Sequence, residues 1–342
     1  MEKIDILSLD EKELKDEIIA LGEKSFRAKQ IYEWLHFKKV GDFEKMTNLS
    51  AQLRGILSEK FCIKSLKIKK RLVSSIDNTV KYLYELPDGE TIESVLMDYK
   101  HGNSLCISTQ VGCKMGCKFC ASTIAGWVRN LEPSEMLLQI YESERDSGRH
   151  VDSIVLMGIG EPLDNFDNVI KFLQILNSEG NGMSLRHISL STCGICDKIY
   201  ELAKLKLGIT LSISLHAATD ERRSSIMPIN NRFDLKTLMK ACDDYFAATG
   251  RRISFEYSLI EGVNDTDESA DELIRLLRGK NCHVNLIPVN EVKEREFKRS
   301  GYVEHFQKRL TDSGINATVR RTLGADINAA CGQLRRQSAV DD

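Results

Sequence analysis

Three cysteines, Cys113, Cys117 and Cys120, stand in the run VGCKMGCKFCAS with three and then two residues between them. Thiols gathered in one tight loop bind metal or do redox chemistry. A structural zinc site closes four ligands, usually as two close pairs, and no second pair stands beside this run to complete the shell. Three thiolates suit a 4Fe–4S cube whose fourth iron has no protein ligand, and an open iron is a place for a small molecule to bind. The run MGIGEP at 157–162 offers glycines that let a backbone approach a ligand and a carboxylate, Glu161, for an ammonium group.

The remaining cysteines, of ten in all, read differently. Cys62, Cys242 and Cys282 lie in periodic apolar runs and are expected in the core. Cys106, in LCISTQ, taken alone reads as an apolar filler. Cys193 and Cys196 form a C-x2-C pair in STCGICD, open to a redox or zinc reading and equally to a structural one. Cys331 is different: AACGQLRR sets it beside a glycine and ahead of an arginine pair, which argues against burial.

These groups must be held by a fold. The 342 residues are 42% hydrophobic and 29% charged, enough for a sizeable core and about two domains, which excludes a disordered chain. The 48 basic and 50 acidic residues nearly cancel, excluding a globally basic nucleic-acid binder but not local patches. No apolar run approaches the roughly 20 residues of a membrane span, and the charged start is unlike a signal peptide. A cytoplasmic protein without membrane contact is expected. The first sixty or so residues carry three helical patterns. The run 60–71 then holds six basic and no acidic residues, a solvated face or a phosphate-contacting patch. Three strand-like runs follow, KIKKRLVSS, TVKYLYEL and TIESVLMDY, the last two joined by the turn PDGE. From about residue 104, six β-rich runs alternate with amphipathic stretches, indicating βαβ units and a parallel sheet with reactive groups at the strands' carboxyl ends.

The C-x3-C-x2-C run followed by GEP resembles the radical S-adenosylmethionine (SAM) superfamily. CISTQVGCKMGCKFCAS, MGIGEPLDN, SLHAATDERRSSIMPIN, EGVND, HVNLIPVN and RRTLGADINAACGQLR together resemble, more closely, the RlmN family of RNA adenine-C2 methyltransferases. The segments fall in that family's order from about residue 80 to 337 and include its tail cysteine. The resemblance implies an α/β fold, a radical SAM partial (βα)6 barrel with a small N-terminal helical accessory domain. It divides the chain into a helical RNA-binding unit (1–75), a β-rich extension (76–100), a radical SAM core (101–323) and a tail bearing the methyl carrier (324–342).

It also implies a mechanism. Carbon 2 of adenine is electron-poor and cannot attack a methylsulfonium directly, so Cys331 would first accept a methyl group from one SAM. A second SAM, chelated at the open iron of the 4Fe–4S cluster on Cys113, Cys117 and Cys120, would yield a 5′-deoxyadenosyl radical that activates this methyl. Cys106 would then resolve the adduct by forming a disulfide with Cys331, and Glu93 would accept the ring proton. SAM contacts carry over to Gly160, Glu161, Ser191, Ser214, Leu215, His216 and Asn290. The implied partners are 23S rRNA, tRNA and an electron donor such as flavodoxin or ferredoxin, with the chain itself monomeric. Phosphate contacts are expected from the 60–71 run, from Arg222, Arg223, Arg251 and Arg252, and from the tail arginines. Two other readings remain open: a related adenine-C8 methyltransferase, which the GEP and IPVN stretches resemble less, and a non-catalytic zinc-containing RNA-binding protein.

Overall fold

The computed structural model describes residues 3–178, 181–289 and 296–329. Its N-terminal unit starts with a short strand, β1 (Ile4–Asp5), and helix α1 (Glu11–Ala20). A capping box begins α1: Asp10 accepts from the Glu13 N–H at 2.8 Å, and Glu13 accepts from the Asp10 N–H at 3.0 Å. Helices α2 (Phe26–Tyr32) and α3 (Ala51–Lys60) follow, the latter capped by Ser50, before β2 (Phe61–Cys62) pairs in parallel with β1. Leu14, Ile18, Ile31, Leu53 and Leu57 line their inward faces, the i, i+4 stripes that the sequence predicts. Cys62, expected in the core, is only half-buried on this small ribbon.

Strands β3 (Lys67–Val73), β4 (Val80–Glu85), β5 (Thr91–Tyr99) and β6 (Gly102–Cys106) form an antiparallel meander. The PDGE turn closes β4 to β5, with Gly89 at φ +85°. Lys67–Val73, strand-like in the sequence although the family resemblance groups it with the helical unit, is the edge strand of the main sheet. A small ribbon of β7 (Gln110–Gly112) and β8 (Trp127–Asn130) then leads into α4 (Pro133–Ser147), which has proline at its first turn and Gly148 in the left-handed region at its end.

The alternation expected from residue 104 follows: β9 (Ser153–Leu156), α5 (Phe166–Leu176), β10 (Ile188–Thr192), α6 (Cys196–Leu205), β11 (Thr210–Ser214), α7 (Asp220–Ile226), α8 (Leu235–Thr249), β12 (Ile253–Leu259), α9 (Asp267–Leu277) and β13 (Cys282–Pro288). Helix α10 (Val303–Asp312) and strand β14 (Ala317–Val319) follow in turn. One ten-stranded sheet results, ordered β14-β13-β12-β11-β10-β9-β6-β5-β4-β3. The six parallel strands β6 and β9 to β13 are the expected (βα)6 run, and β14 extends it in parallel. The two ends of the sheet do not pair with each other, so the barrel is partial. The N-terminal unit docks on α4, where the fully buried His36 ring shares a hydrogen bond with the Tyr141 hydroxyl at 2.9 Å. No helix among the described residues is long and apolar enough to cross a membrane.

Candidate active site

The cysteine triplet sits on the loop that the β7–β8 ribbon encloses, at the carboxyl end of β6. The Cys113 N–H donates to the Gly126 carbonyl at 3.1 Å, Thr123 Oγ1 donates to the Cys120 carbonyl at 2.9 Å, and the Lys118 N–H reaches Ile226 on α7 at 2.9 Å. Gly112, at φ +77°, lets the ribbon close: a Cβ there would lie 1.9 Å from the Gly126 oxygen. Cys113 and Cys117 are buried and Cys120 is half-buried. All three line one cavity of about 250 Å³, which also touches Gly160, Glu161, Ser191, Ser214 and His216. Among the described residues, no three His, Cys, Asp or Glu side chains converge on a single ion-sized point. Burial pushes the Cys113 thiol up to about 12 and raises Cys117 as well. Buried thiols of this kind ionise when a metal replaces the proton, so the donor set fits an iron–sulfur cluster.

Each predicted contact residue has a definite environment. Gly158 and Gly160 are required by packing against the chain after β6: a Cβ would lie 2.4 Å from the Ile107 oxygen and 2.6 Å from Gln110 Cβ, respectively. Both glycines also line the triplet's cavity. Glu161 is buried, and its oxygens accept from the Leu163 N–H at 3.0 Å and the Cys193 N–H at 2.7 Å. Desolvation raises its pKa, and these hydrogen bonds oppose the rise. Ser191 and Ser214, on adjacent strand ends, are 3.5 Å apart. His216 accepts from the Ser258 N–H through Nδ1 at 2.9 Å, which leaves Nε2 to carry the proton; burial lowers its pKa to about 3. Leu215 is fully buried and does not line the cavity; its main chain bonds Glu256 and Arg223.

A second cavity, of about 380 Å³, lies against the first and shares Met157, Gly158, Ile287 and Arg320 with it. Glu93, Cys106, Arg321 and residues 322–325, 328 and 329 also line it. Cys106 is buried at the end of β6 beside Val95, Met97 and Ala329. Burial raises its pKa, while Arg320 and the Met157 main chain pull it down. Glu93 is buried with its Oε2 3.0 Å from Lys81 Nζ. Cys331 and Asn290 lie outside the described residues; Ala329 stands two positions before Cys331.

Gln110 and Glu256 carried no sequence signal, and Arg223 proves to have a different role from the one expected. Gln110, fully buried, accepts from the Glu161 N–H at 2.8 Å and donates to Asn130 and Asp164, tying the GEP turn to the ribbon. Glu256 lines the first cavity, bonded to Asn285 at 2.7 Å. Arg223 is fully buried and donates to the carbonyls of Cys193, Ser214 and Leu215 and to Asn230. It clamps the ends of β10 and β11 to α7, so it is unavailable to phosphate. Arg222 pairs with Glu268 and Glu272. In the 60–71 run, Lys60, Lys64, Lys67 and Arg71 are ion-paired, Lys67 with Glu85 at 3.4 Å while its side chain stays exposed. Cys193 lines the triplet's cavity, whereas Cys196 and Cys242 are buried behind it.

Residues 4–63 match the ribosomal RNA large subunit methyltransferase N-terminal domain, and residues 107–277 match the radical SAM superfamily. The chain is 55% identical over 338 residues to a probable dual-specificity RNA methyltransferase RlmN of Lachnoclostridium phytofermentans, spanning 98% of this chain and 95% of that one. It is 52% identical to the protein of the same description from Lachnospira eligens, over 98% and 97% of the two chains. The crystal structure of a radical SAM methyltransferase from Sphaerobacter thermophilus superposes with a TM-score of 0.92 at 40% identity, covering 96% of this chain and 98% of that one.

Proposed function

The chain belongs to the RlmN family of dual-specificity RNA methyltransferases within the radical SAM superfamily, and we propose that Cys331, Cys106 and Glu93 carry its methylation of adenine carbon 2 in 23S rRNA and tRNA. When bound, the 4Fe–4S cluster and SAM, two equivalents per turnover, supply the radical chemistry and the methyl carbon. Cys113, Cys117 and Cys120 hold the cluster. Glu161, Ser191, Ser214, His216 and Asn290 hold SAM; the neutral His216 ring, acceptor at Nδ1, offers its other nitrogen as a donor.

Cys331 takes a methyl group as a thioether and presents its carbon to the adenine. The target adenosine has to be splayed out of its RNA to meet it. One hydrogen atom of that methyl group would go to the SAM-derived radical before its carbon bonds ring carbon 2, and Glu93 accepts the proton leaving ring carbon 2 as the adduct would give up one electron to the cluster. Cys106 then loses its own proton, favoured by Arg320, and its sulfur bonds that of Cys331. The bond from Cys331 sulfur to carbon breaks, the carbon keeps the electron pair and takes up a proton, and the methylated base is free. The resulting disulfide must be reduced before the next cycle. A flavodoxin- or ferredoxin-type donor supplies electrons, the chain works as a monomer in the cytoplasm, and the helical N-terminal unit contributes to RNA binding.

The observation that carries this reading is the shared wall: the cavity of the cysteine triplet adjoins the cavity of Cys106 and Glu93 through Met157, Gly158, Ile287 and Arg320. The test is anaerobic turnover with SAM and protein-free ribosomal RNA. Cys331→Ala should give no methylated adenine. Cys106→Ala should stall as a covalent protein–RNA adduct visible on a denaturing gel. Product from Cys331→Ala, or the absence of an adduct with Cys106→Ala, overturns the assignment.

A further inference from the structure

Lys81, on β4 next to the edge strand of the sheet, is among the largest fully buried side chains, at 1% exposure. Burying an ammonium group is costly unless it is paired and hydrogen-bonded. Here its Nζ lies 3.0 Å from Glu93 Oε2 and also donates at 3.0 Å to the carbonyl of Asn328. One side chain thus touches the candidate proton acceptor and the main chain three residues before Cys331.

The surrounding bonds repeat the connection. The Gly324 N–H donates to Asp77 Oδ2 at 2.8 Å, and the Ser75 N–H and hydroxyl donate to Asp326 Oδ2 at 2.8 and 3.0 Å. The turn between β3 and β4 therefore grips the base of the tail at residues 324–328 while Lys81, one residue into β4, reaches under it. Facing Glu93 across the cavity are Cys106 at the end of β6 and Arg320 and Arg321 after β14. Among these, Lys81 is the cation in direct contact with the Glu93 carboxylate.

We propose that Lys81 is a positioning residue for methyl transfer: its ion pair holds the Glu93 side chain aimed into the Cys106 cavity, and its bond to the Asn328 carbonyl fixes the base of the carrier tail against that side chain. The two halves of the late chemistry, proton acceptance and delivery of the carbon, are thereby set to one reference point. The proposal rests on the assignment of Cys331 and Glu93 above.

The test compares Lys81→Met, Lys81→Arg and Glu93→Gln holoenzymes in anaerobic single turnover with SAM and RNA. Methylated Cys331 is read by mass spectrometry and the covalent protein–RNA adduct on denaturing gels. Lys81→Met should still load a methyl group on Cys331, yet convert adduct to free methylated RNA at least tenfold more slowly. Lys81→Arg, which keeps the charge, should restore most of that rate. A purely structural role for the side chain predicts no such rescue combined with intact methyl loading. If Lys81→Met fails to fold, Lys81→Gln, which can hydrogen-bond both partners without charge, takes its place with the same expectation. Wild-type release from the uncharged variant while Glu93→Gln stalls overturns the proposal. Wild-type release from Glu93→Gln instead overturns the assignment beneath it.

Discussion

Gly112→Ala provides a sharp test of how the cysteine loop is built, because its neighbour across the ribbon supplies a matched control. Both Gly112 and Gly126 have left-handed backbones, at φ +77° and +71°. A side chain at Gly126 meets nothing within 4 Å, whereas one at Gly112 would lie 1.9 Å from the Gly126 oxygen and 3.1 Å from Trp127 Cα. The backbone conformation alone costs a non-glycine residue about 1–2 kcal/mol. At Gly112 the contact is with backbone, so the ribbon itself must move. That adds overpacking of about 1–3 kcal/mol and loss of the 3.1 Å bond from the Cys113 N–H to Gly126, worth about 0.5–1.5 kcal/mol net. The control should thus lose about 1–2 kcal/mol and Gly112→Ala about 2.5–6.5 kcal/mol, concentrated where Cys113 leaves the strand. The assay is iron per chain after anaerobic reconstitution, beside chemical denaturation. Gly126→Ala should bind iron like the wild type, and Gly112→Ala should lose most of it. Equal iron in both variants would refute the claim that this close approach frames the triplet.

Two further predictions concern stability and RNA binding. Burial lowers the pKa of His36 to about 3 from its ordinary 6.5, so between those values the unfolded chain binds the extra proton. Stability contributed by the neutral ring is complete above pH 6.5 and declines, by up to about 1.4 kcal/mol per pH unit, as pH falls toward 3. Urea unfolding at pH 7 and pH 5 should show the decline, and His36→Leu should flatten it despite lower stability at pH 7; an unchanged pH slope in the variant counts against it. Reversing charge at Lys67, Lys69 and Lys70 on β3 should weaken RNA binding and reduce its salt dependence by about 0.7–0.9 in logarithmic slope for each phosphate no longer neutralised. Binding titrations at several salt concentrations that return the wild-type slope would remove this strand from the RNA surface.

The helices α1 and α3 and the strands of the meander were legible in the sequence because their signals are local, the apolar stripes behind a Ser/Asp start and the turn before β5; the β7–β8 ribbon, α7 and α10 carried no such signal. The glycines of MGIGEP were legible in position but not in cause, since only the fold shows that they lie against Ile107 and Gln110. Arg223 illustrates what local pattern cannot carry. In DERRSSI it and Arg222 look alike, yet Arg222 pairs at the surface with Glu268 and Glu272 while Arg223 has no exposure at all. Its partners are carbonyls at residues 193, 214 and 215, and a main-chain carbonyl leaves no mark in a sequence. Lys81 was hidden for another reason. Residues 80–84 are all buried, so β4 is covered on both faces and the alternation that would single out an inward lysine is lost.

Register is what joins the two cavities, and it limits how the chain between them can vary. Cys106 is paired across from Val95 on β5 and Val155 on β9, and successive residues of a strand point to opposite faces. The next residue, Ile107, is fully buried, so a one-residue slip in β6 would exchange them: an isoleucine would enter the cavity with Glu93, and the thiol would face core side chains. The same slip would move the 107–110 segment that Gly158 and Gly160 fit without a Cβ, and with it the ribbon carrying Cys113. A single strand end therefore sets the distance between Cys106 and the cysteine triplet. Six residues separate Cys106 from Cys113 in the sequence; adding or removing one would disturb both cavities at once, whereas the exposed turn between β3 and β4 could change length while moving only the base of the tail.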